Sequence, residues 1–262
     1  MAEQKIRFED GEAYERYMGV WSRLVGEEFV RWMAPKAGLS WIDVGCGNGA
    51  FTELVFGRCA PNSVDGVDPS EEQIAYARVR PATTTARYRV GDAMALPYPV
   101  DSFEVAVMPL VIFFVPDPSV GVSEMARVVK PGGLVAAYGW DLLGGGRPYQ
   151  DLQDEMQSMG IVIPMPPSSG AAGREALEGF WTGAGLDSIE TKVFAVERTF
   201  ADLETYWNIV QGSPSASRIF SAMDPAAFAG LKERMRRRLK TDSDGHIVCR
   251  ARANAIMGRV PS

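Results

Sequence analysis

Trp41-Ile42-Asp43-Val44-Gly45-Cys46-Gly47-Asn48-Gly49-Ala50-Phe51 joins a short apolar run to a glycine-rich turn and then to a helix-forming stretch. Three apolar positions around one acid read as a buried strand, and the three alternate glycines read as a tight turn needing positive φ and close backbone approach by a ligand. A turn of this kind between strand and helix can also receive a pyrophosphate on the helix N-terminus. Asp43 argues against that ligand. A carboxylate just before the first glycine repels a pyrophosphate and attracts the cationic end of an amino acid, which favours an amino-acid-bearing nucleoside over a dinucleotide.

Two later strand ends continue the pattern. Asp68 lies about 20 residues beyond the turn, where a doubly wound sheet places a carboxylate for ribose hydroxyls. Charge-assisted hydrogen bonds of that type contribute roughly 1.5 to 3 kcal/mol each. Gly91-Asp92-Ala93-Met94 follows the next strand and offers an acid to an adenine amino group and a thioether to the ring face. Asp43, Asp68 and Asp92 thus stand at the ends of three consecutive strands.

Outward from these positions, short apolar runs alternate with helix-like stretches, the signature of a parallel sheet flanked by helices. Strands are predicted at Ser40 to Val44, Ser63 to Val67, Ala86 to Val90, Phe103 to Met108 and Gly133 to Tyr138, and helices at Ala50 to Arg58, Ser70 to Arg80 and Ser119 to Val129. Ser70 followed by Gln73 reads as a capping box, and Pro131-Gly132-Gly133 as a stop and turn. Tyr14 to Met33 carries apolar residues at helical spacing and predicts one or two amphipathic helices. Beyond the core, Leu142 to Gly170 reads as loop-rich with a short helix near Tyr149 to Met159. Arg174 to Thr182 predicts a helix, Ser188 to Val196 a strand, Leu203 to Leu239 helices broken near Gly212 to Pro214 and at Pro225, and His246 to Met257 a final strand.

With 262 residues and 46% hydrophobic content the chain can bury a sizeable core. The net charge of −6 disfavours duplex nucleic acid as a partner, so a small-molecule acceptor is expected. No apolar run is long enough to span a bilayer, and the charged first ten residues lack a signal-peptide core, so a cytoplasmic protein is expected. Cys46, Cys59 and Cys249 have no metal-ligand spacing, and His246 is the sole histidine, so neither a metal site nor a Ser/His/Asp triad is expected. Cys46 reads as a small residue tolerated in a tight turn. Lys232 to Lys240 reads as a solvated basic helix face.

The segment from Trp41 to Gly133 resembles the class I S-adenosylmethionine-dependent methyltransferases, in the branch that includes quinone-biosynthesis enzymes. Five ordered motifs carry the likeness: Asp43 to Gly49, Gly66-Val67-Asp68-Pro69-Ser70, Gly91-Asp92-Ala93, Leu96-Pro97 with Asp101-Ser102-Phe103 and Val107, and Glu124 to Gly133. The resemblance implies an α/β, Rossmann-like three-layer sandwich whose seven-stranded sheet is mostly parallel, with the last strand antiparallel, plus a helical lid. It implies one domain over 1–262, with an N-terminal helical cover at 10–34, a cofactor-binding core at 35–140, and a C-terminal part at 141–262 containing a lid insertion at 200–240. The implied cofactor is S-adenosyl-L-methionine, without a metal. Its implied site comprises Asp43, Gly45, Cys46, Gly47, Asn48, Gly49, Asp68, Pro69, Gly91, Asp92, Ala93, Met94 and Met108, with Tyr14, Met18 and Trp21 contributed by the cover.

The chain departs from many relatives in carrying Phe113 and Phe114 where a histidine is common after the fourth strand. Methyl transfer from a sulfonium is driven largely by proximity and alignment, so a dedicated base is optional. Asp141 and His246 are the candidates should the acceptor need one. The competing expectation is a non-methylating binder of the same cofactor, such as a cyclase, carrier or regulatory protein, and a weaker one is a nicotinamide oxidoreductase. Neither the acceptor, the methylated atom nor the oligomeric state is encoded in these motifs.

Overall fold

The computed structural model describes residues 15–212 and 214–262. A π-helical turn at Glu15–Gly19 leads into α1 (Val20–Met33), and then β1 (Ser40–Val44), α2 (Ala50–Cys59), β2 (Ser63–Asp68), α3 (Glu71–Arg78) and β3 (Arg87–Val90) alternate. They are followed by β4 (Phe103–Pro109), α4 (Pro118–Val128), β5 (Val129–Trp140), α5 (Gln150–Ser158), α6 (Arg174–Gly183) and β6 (Asp187–Phe200). Helices α7 (Leu203–Gln211), α8 (Pro214–Ser221) and α9 (Pro225–Arg238) precede the final strand β7 (Ile247–Arg259).

The seven strands form one sheet in the order β3-β2-β1-β4-β5-β7-β6. β1 pairs in parallel with both β2 and β4, and β5 is parallel to β4 but antiparallel to β7. The order reverses at β1, between β2 on one side and β4 on the other, and a doubly wound sheet opens a ligand crevice at such a switch point beyond the strand C-termini. The expected sheet is therefore present.

Central position explains composition. Trp41, Ile42, Asp43 and Val44 are all buried on β1, and Val105 to Met108 are buried on β4, as befits strands covered on both faces. Edge strand β3 instead alternates, with Tyr88 buried between exposed Arg87 and Arg89, charges that guard an open edge. Ser70 Oγ accepts the Gln73 N–H at 3.3 Å and opens α3, as its capping pattern predicts. Asp117 caps α4 by accepting the N–H groups of Ser119 and Val120.

Differences from the predicted elements lie at their ends. The Pro131-Gly132-Gly133 turn sits inside β5: Phe103 pairs with Val129 and Val105 with Leu134, so the intervening residues bulge from the ladder. Gly132, at φ 75°, permits that bulge. β7 runs two residues past Met257 because its pairing with β5 continues to Arg259 opposite Leu134. Tyr14 lies outside the described residues.

The chain divides into two compact units. One holds 23–145, 166–194 and 252–262, hence most of the sheet and the family-like motifs. Its core includes Phe29 against Tyr138 at a ring separation of 4.6 Å and the buried Trp181, whose indole N–H donates to the Val135 carbonyl at 3.0 Å. The other unit comprises the described part of the segment ending at Ser22, together with 146–165 and 195–251. Here Tyr17 stacks on Tyr149 at 4.4 Å, and Arg198 donates to the Tyr149 hydroxyl and the Tyr17 carbonyl. Arg238 of α9 bonds Asp151, Asp154 and Glu155 of α5, while Arg234 bonds Glu155 and Ser158. Arg234 and Arg238 thus join α9 to α5 across an exposed basic face, and Arg236, Arg237 and Lys240 are exposed too, as expected of a solvated helix face.

Candidate functional site

Three strand ends of the first-described unit are tied together by hydrogen bonds. The Val67 carbonyl accepts from the N–H groups of Gly45 and Cys46 at 2.7 and 3.0 Å, which pins the glycine turn to β2. Asp68 Oδ2 accepts the Gly47 N–H at 3.0 Å and Oδ1 the Ser70 N–H at 2.9 Å. The Asp68 carbonyl accepts the Gly91 N–H at 3.1 Å, which brings in the turn after β3. Motifs separated by more than 20 residues in the chain therefore form one continuous rim.

The glycines do different work along that rim. Gly45, Gly47 and Gly49 all have positive φ, at 75°, 50° and 81°. A Cβ on Gly45 would lie 2.5 Å from the Val111 side chain, and one on Gly49 2.8 Å from the Tyr88 hydroxyl. Gly47 differs, since its Cβ would meet only Gln73 Oε1, at 3.8 Å. Gly45 and Gly49 are needed for packing, whereas Gly47 leaves the backbone open on its free side.

Asp43 lies beneath this turn and is fully buried. Its Oδ2 accepts the Thr52 hydroxyl at 2.6 Å, while Oδ1 has no hydrogen-bond partner. Burial pushes its carboxyl up to about 7, the Thr52 hydroxyl opposes that rise, and the nearby Asp68 charge adds to it. Asp68 is also pushed above the usual carboxylate range by burial, with the N–H groups of Ser70 and Gly47 working against the shift. Burial, followed by the charges of Asp43 and Asp68, drives the Cys46 thiol upward, so it stays protonated and is no nucleophile.

The remaining expected residues fall in several settings. Asn48 Oδ1 accepts the Ala50 N–H at 3.1 Å at the start of α2, and Pro69 follows Asp68 at the mouth of β2. Asp92 is exposed, with Oδ1 accepting the Met94 N–H at 2.8 Å, and Ala93 and Met94 are half-buried beside it. Met108 is buried at the end of β4, with its terminal methyl close to Gly121 of α4. In the other unit, Trp21 is buried edge-on to Tyr149 at 5.9 Å and Met18 is half-buried.

Neither candidate base stands free. Asp141 Oδ2 accepts from Arg252 at 2.6 Å and Oδ1 from the Gly144 N–H at 3.0 Å, so the carboxylate anchors the Gly144-Gly145-Gly146 turn to β7. His246 sits in an exposed turn where Asp242 accepts its backbone N–H and faces its Nδ1 at 3.2 Å. Asp242, Asp244 and His246 bring ligand-type atoms within 4.8 Å of one another, but the carboxylate of Asp242 is already occupied in closing that turn. Buried Phe113 and half-exposed Phe114 occupy the short helical turn after β4.

Two features went unread in the sequence. Thr52, the partner of Asp43, is one of many threonines in a first helical turn and has no distinguishing signature. The Glu124-to-Gly133 motif acts as a clasp: Glu124 accepts the Leu96 N–H, and Arg127 bonds Glu124 and the carbonyls of Leu96 and Tyr98. It thereby holds the chain just beyond Asp92.

Residues 42–137 match a family model described as a methyltransferase domain. A malonyl-[acyl-carrier protein] O-methyltransferase of Erwinia billingiae is 33% identical over 124 residues, 47% of this chain and 47% of that protein. A demethylmenaquinone methyltransferase of Desulfitobacterium hafniense is 34% identical over 113 residues, 41% of this chain and 45% of that protein. The matched region thus spans about half the length of these relatives or less. Among solved structures, Haemonchus contortus phosphoethanolamine N-methyltransferase 2, in complex with S-adenosyl-L-methionine, superposes with a TM-score of 0.58 at 19% identity, covering 96% of this chain and 56% of that one. The motifs, the sheet order and the sequence match agree over the same stretch: residues 42–137 are similar to a methyltransferase domain.

Proposed function

We propose that the chain is an S-adenosyl-L-methionine-dependent methyltransferase that transfers a methyl group to a small-molecule acceptor, chiefly by holding cofactor and acceptor close and aligned. The observation that carries this reading is the buried, unpartnered Asp43 Oδ1 beneath a glycine turn whose backbone is open at Gly47. A buried carboxylate oxygen without a donor calls for one from a ligand, and the cofactor's ammonium group is such a donor. The residues present therefore fit the cofactor.

Asp43 would hold the amino-acid end, with Gly45, Cys46, Gly47, Asn48 and Gly49 presenting backbone to it. Asp68 keeps acceptor capacity beyond its two backbone bonds, since a carboxylate has about four lone-pair sites, and would take the ribose hydroxyls beside Pro69. Gly91, Asp92, Ala93 and Met94 would bound the adenine, with Met108 packed behind. The cofactor supplies an activated methyl on a cationic sulfur with a good leaving group. The chain's task is then to fix the cofactor and exclude competing water, for which no base is required. Asp141 and His246 serve as turn anchors in this scheme.

Selection of the acceptor falls to residues outside 42–137, because the family match stops there while the relatives' named substrates differ. The acidic net charge supports a small molecule over a nucleic acid. No helix among the described residues is long and apolar enough to cross a membrane, and three buried, unpaired thiols support a reducing compartment, the cytoplasm.

The test is incubation of the purified chain with methyl-labelled S-adenosyl-L-methionine and fractionated small-molecule extracts. Labelled product formed together with stoichiometric S-adenosylhomocysteine is expected. Tight cofactor binding without product across broad extracts would point instead to a non-methylating binder.

A further inference from the structure

Asp43 uses its two oxygens differently, one engaged by Thr52 and the other left for a ligand. Thr52 is as deeply buried as Asp43 and lies in the first turn of α2, where its hydroxyl reaches back under the glycine turn. The groups around the Asp43 carboxylate are the Asp68 carboxylate at the end of β2, the Cys46 thiol in the turn, the Tyr88 phenol on β3 and Thr52 on α2. None of these is a cation. A charge buried this way is stabilised by hydrogen bonds to its ionised form, and the Thr52 hydroxyl is a 2.6 Å donor placed to provide one. Valine would fill nearly the same volume in a buried first turn, so packing alone does not call for the hydroxyl.

We infer that Thr52 is a positioning residue: its hydroxyl favours the ionised form of Asp43 and holds it turned so that Oδ1 receives the cofactor's ammonium group, and cofactor affinity follows pH through this pair. The inference rests on the cofactor reading above and adds a residue that the family motifs omit. Affinity rises with pH as Asp43 loses its proton, through about pH 7. Removing the donor shifts that rise to higher pH and leaves its shape unchanged. A charge-assisted hydrogen bond is equivalent to about one to two pH units, so affinity on the acid side falls about 10- to 100-fold.

The experiment titrates the full chain with S-adenosylhomocysteine by calorimetry from pH 5.5 to 8.5, for wild type, Thr52→Val and Thr52→Ser. The expected result is a midpoint displaced upward in Thr52→Val, with a loss greatest at low pH and shrinking as the pH rises, and a Thr52→Ser profile that overlays wild type. A loss of the same factor at every pH, or no loss, overturns the inference and leaves Thr52 a packing residue. Should Thr52→Val not fold, Thr52→Ala is read by the same two outcomes. Carbon NMR titration of the Asp43 carboxyl in the unliganded chain separates this inference from the cofactor reading. If wild type binds no S-adenosylhomocysteine, the cofactor reading falls and the functional role of Thr52 falls with it, while an Asp43 midpoint that still moves with Thr52 shows that the pair itself is coupled.

Discussion

Replacing Asp43 by asparagine should make the unliganded protein more stable, by an amount that depends on pH. In the folded chain burial raises the Asp43 carboxyl from 3.8 to about 7, whereas in the unfolded chain it titrates near its ordinary value. Between those two pH values the folded state holds a proton that the unfolded state has released. Stability therefore falls as pH rises through the window, by about 1.4 kcal/mol per pH unit. The contribution is fully present below pH 3.8 and gone above about 7, a total of roughly 4 kcal/mol over the three-unit window. Asparagine keeps the shape and the neutral state at all pH values, so the stability gap between variant and wild type should widen by roughly 3 kcal/mol from pH 5 to 8. Urea unfolding of both proteins at half-unit pH intervals, without cofactor, measures it. A gap constant with pH would refute the reasoning, because it would mean that Asp43 carries the same charge in both states throughout.

The other expectations follow from single contacts. Asp68→Asn should weaken S-adenosylhomocysteine binding at least tenfold by calorimetry, since a charged acceptor contributes roughly 1.5 to 3 kcal/mol per bond and Asp68 also tethers Gly47 and Ser70. Gly47→Ala should reduce cofactor affinity more than stability, the cost of its positive φ being about 1 kcal/mol, whereas Gly45→Ala should destabilise outright through its 2.5 Å approach to Val111; calorimetry beside thermal melts separates the two. Arg238→Ala should lower the melting temperature by a few degrees at low salt and less at high salt, because exposed ion pairs contribute at most about 1 kcal/mol each and are screened.

The sheet was legible because its strands are short, buried and punctuated. Trp41 to Val44 and Val105 to Met108 are short, mainly apolar runs bounded by turn residues, and their alternation with helix-like stretches places them in a parallel sheet. Element ends were less legible where pairing overrides punctuation. Pro131-Gly132-Gly133 looks like a stop, yet the ladder between β4 and β5 resumes around it by a register shift. The basic run of α9 is the solvated face that its spacing indicates, but its partners were hidden for a related reason. Only the three-dimensional approach of α5 supplies Asp151, Asp154 and Glu155 to Arg238 from some 80 residues away.

The candidate site divides along the same physical line. Asp43, Asp68 and Asp92 could be read because each occupies a strand end, a position that topology turns toward the ligand crevice whatever surrounds it. Thr52 and Arg252 could not, because each acts on one carboxylate through a contact made in space. Arg252 takes Asp141 into an ion pair from more than 100 residues away, and a carboxylate that reads as a possible base becomes a turn anchor. Sequence position thus identifies acids that can meet a ligand. What each acid does then depends on its remaining free lone pairs: Asp141 spends one oxygen on Arg252 and the other on Gly144, whereas Asp43 keeps Oδ1 unpaired. Of the two, Asp43 alone retains a whole oxygen for a bound cation.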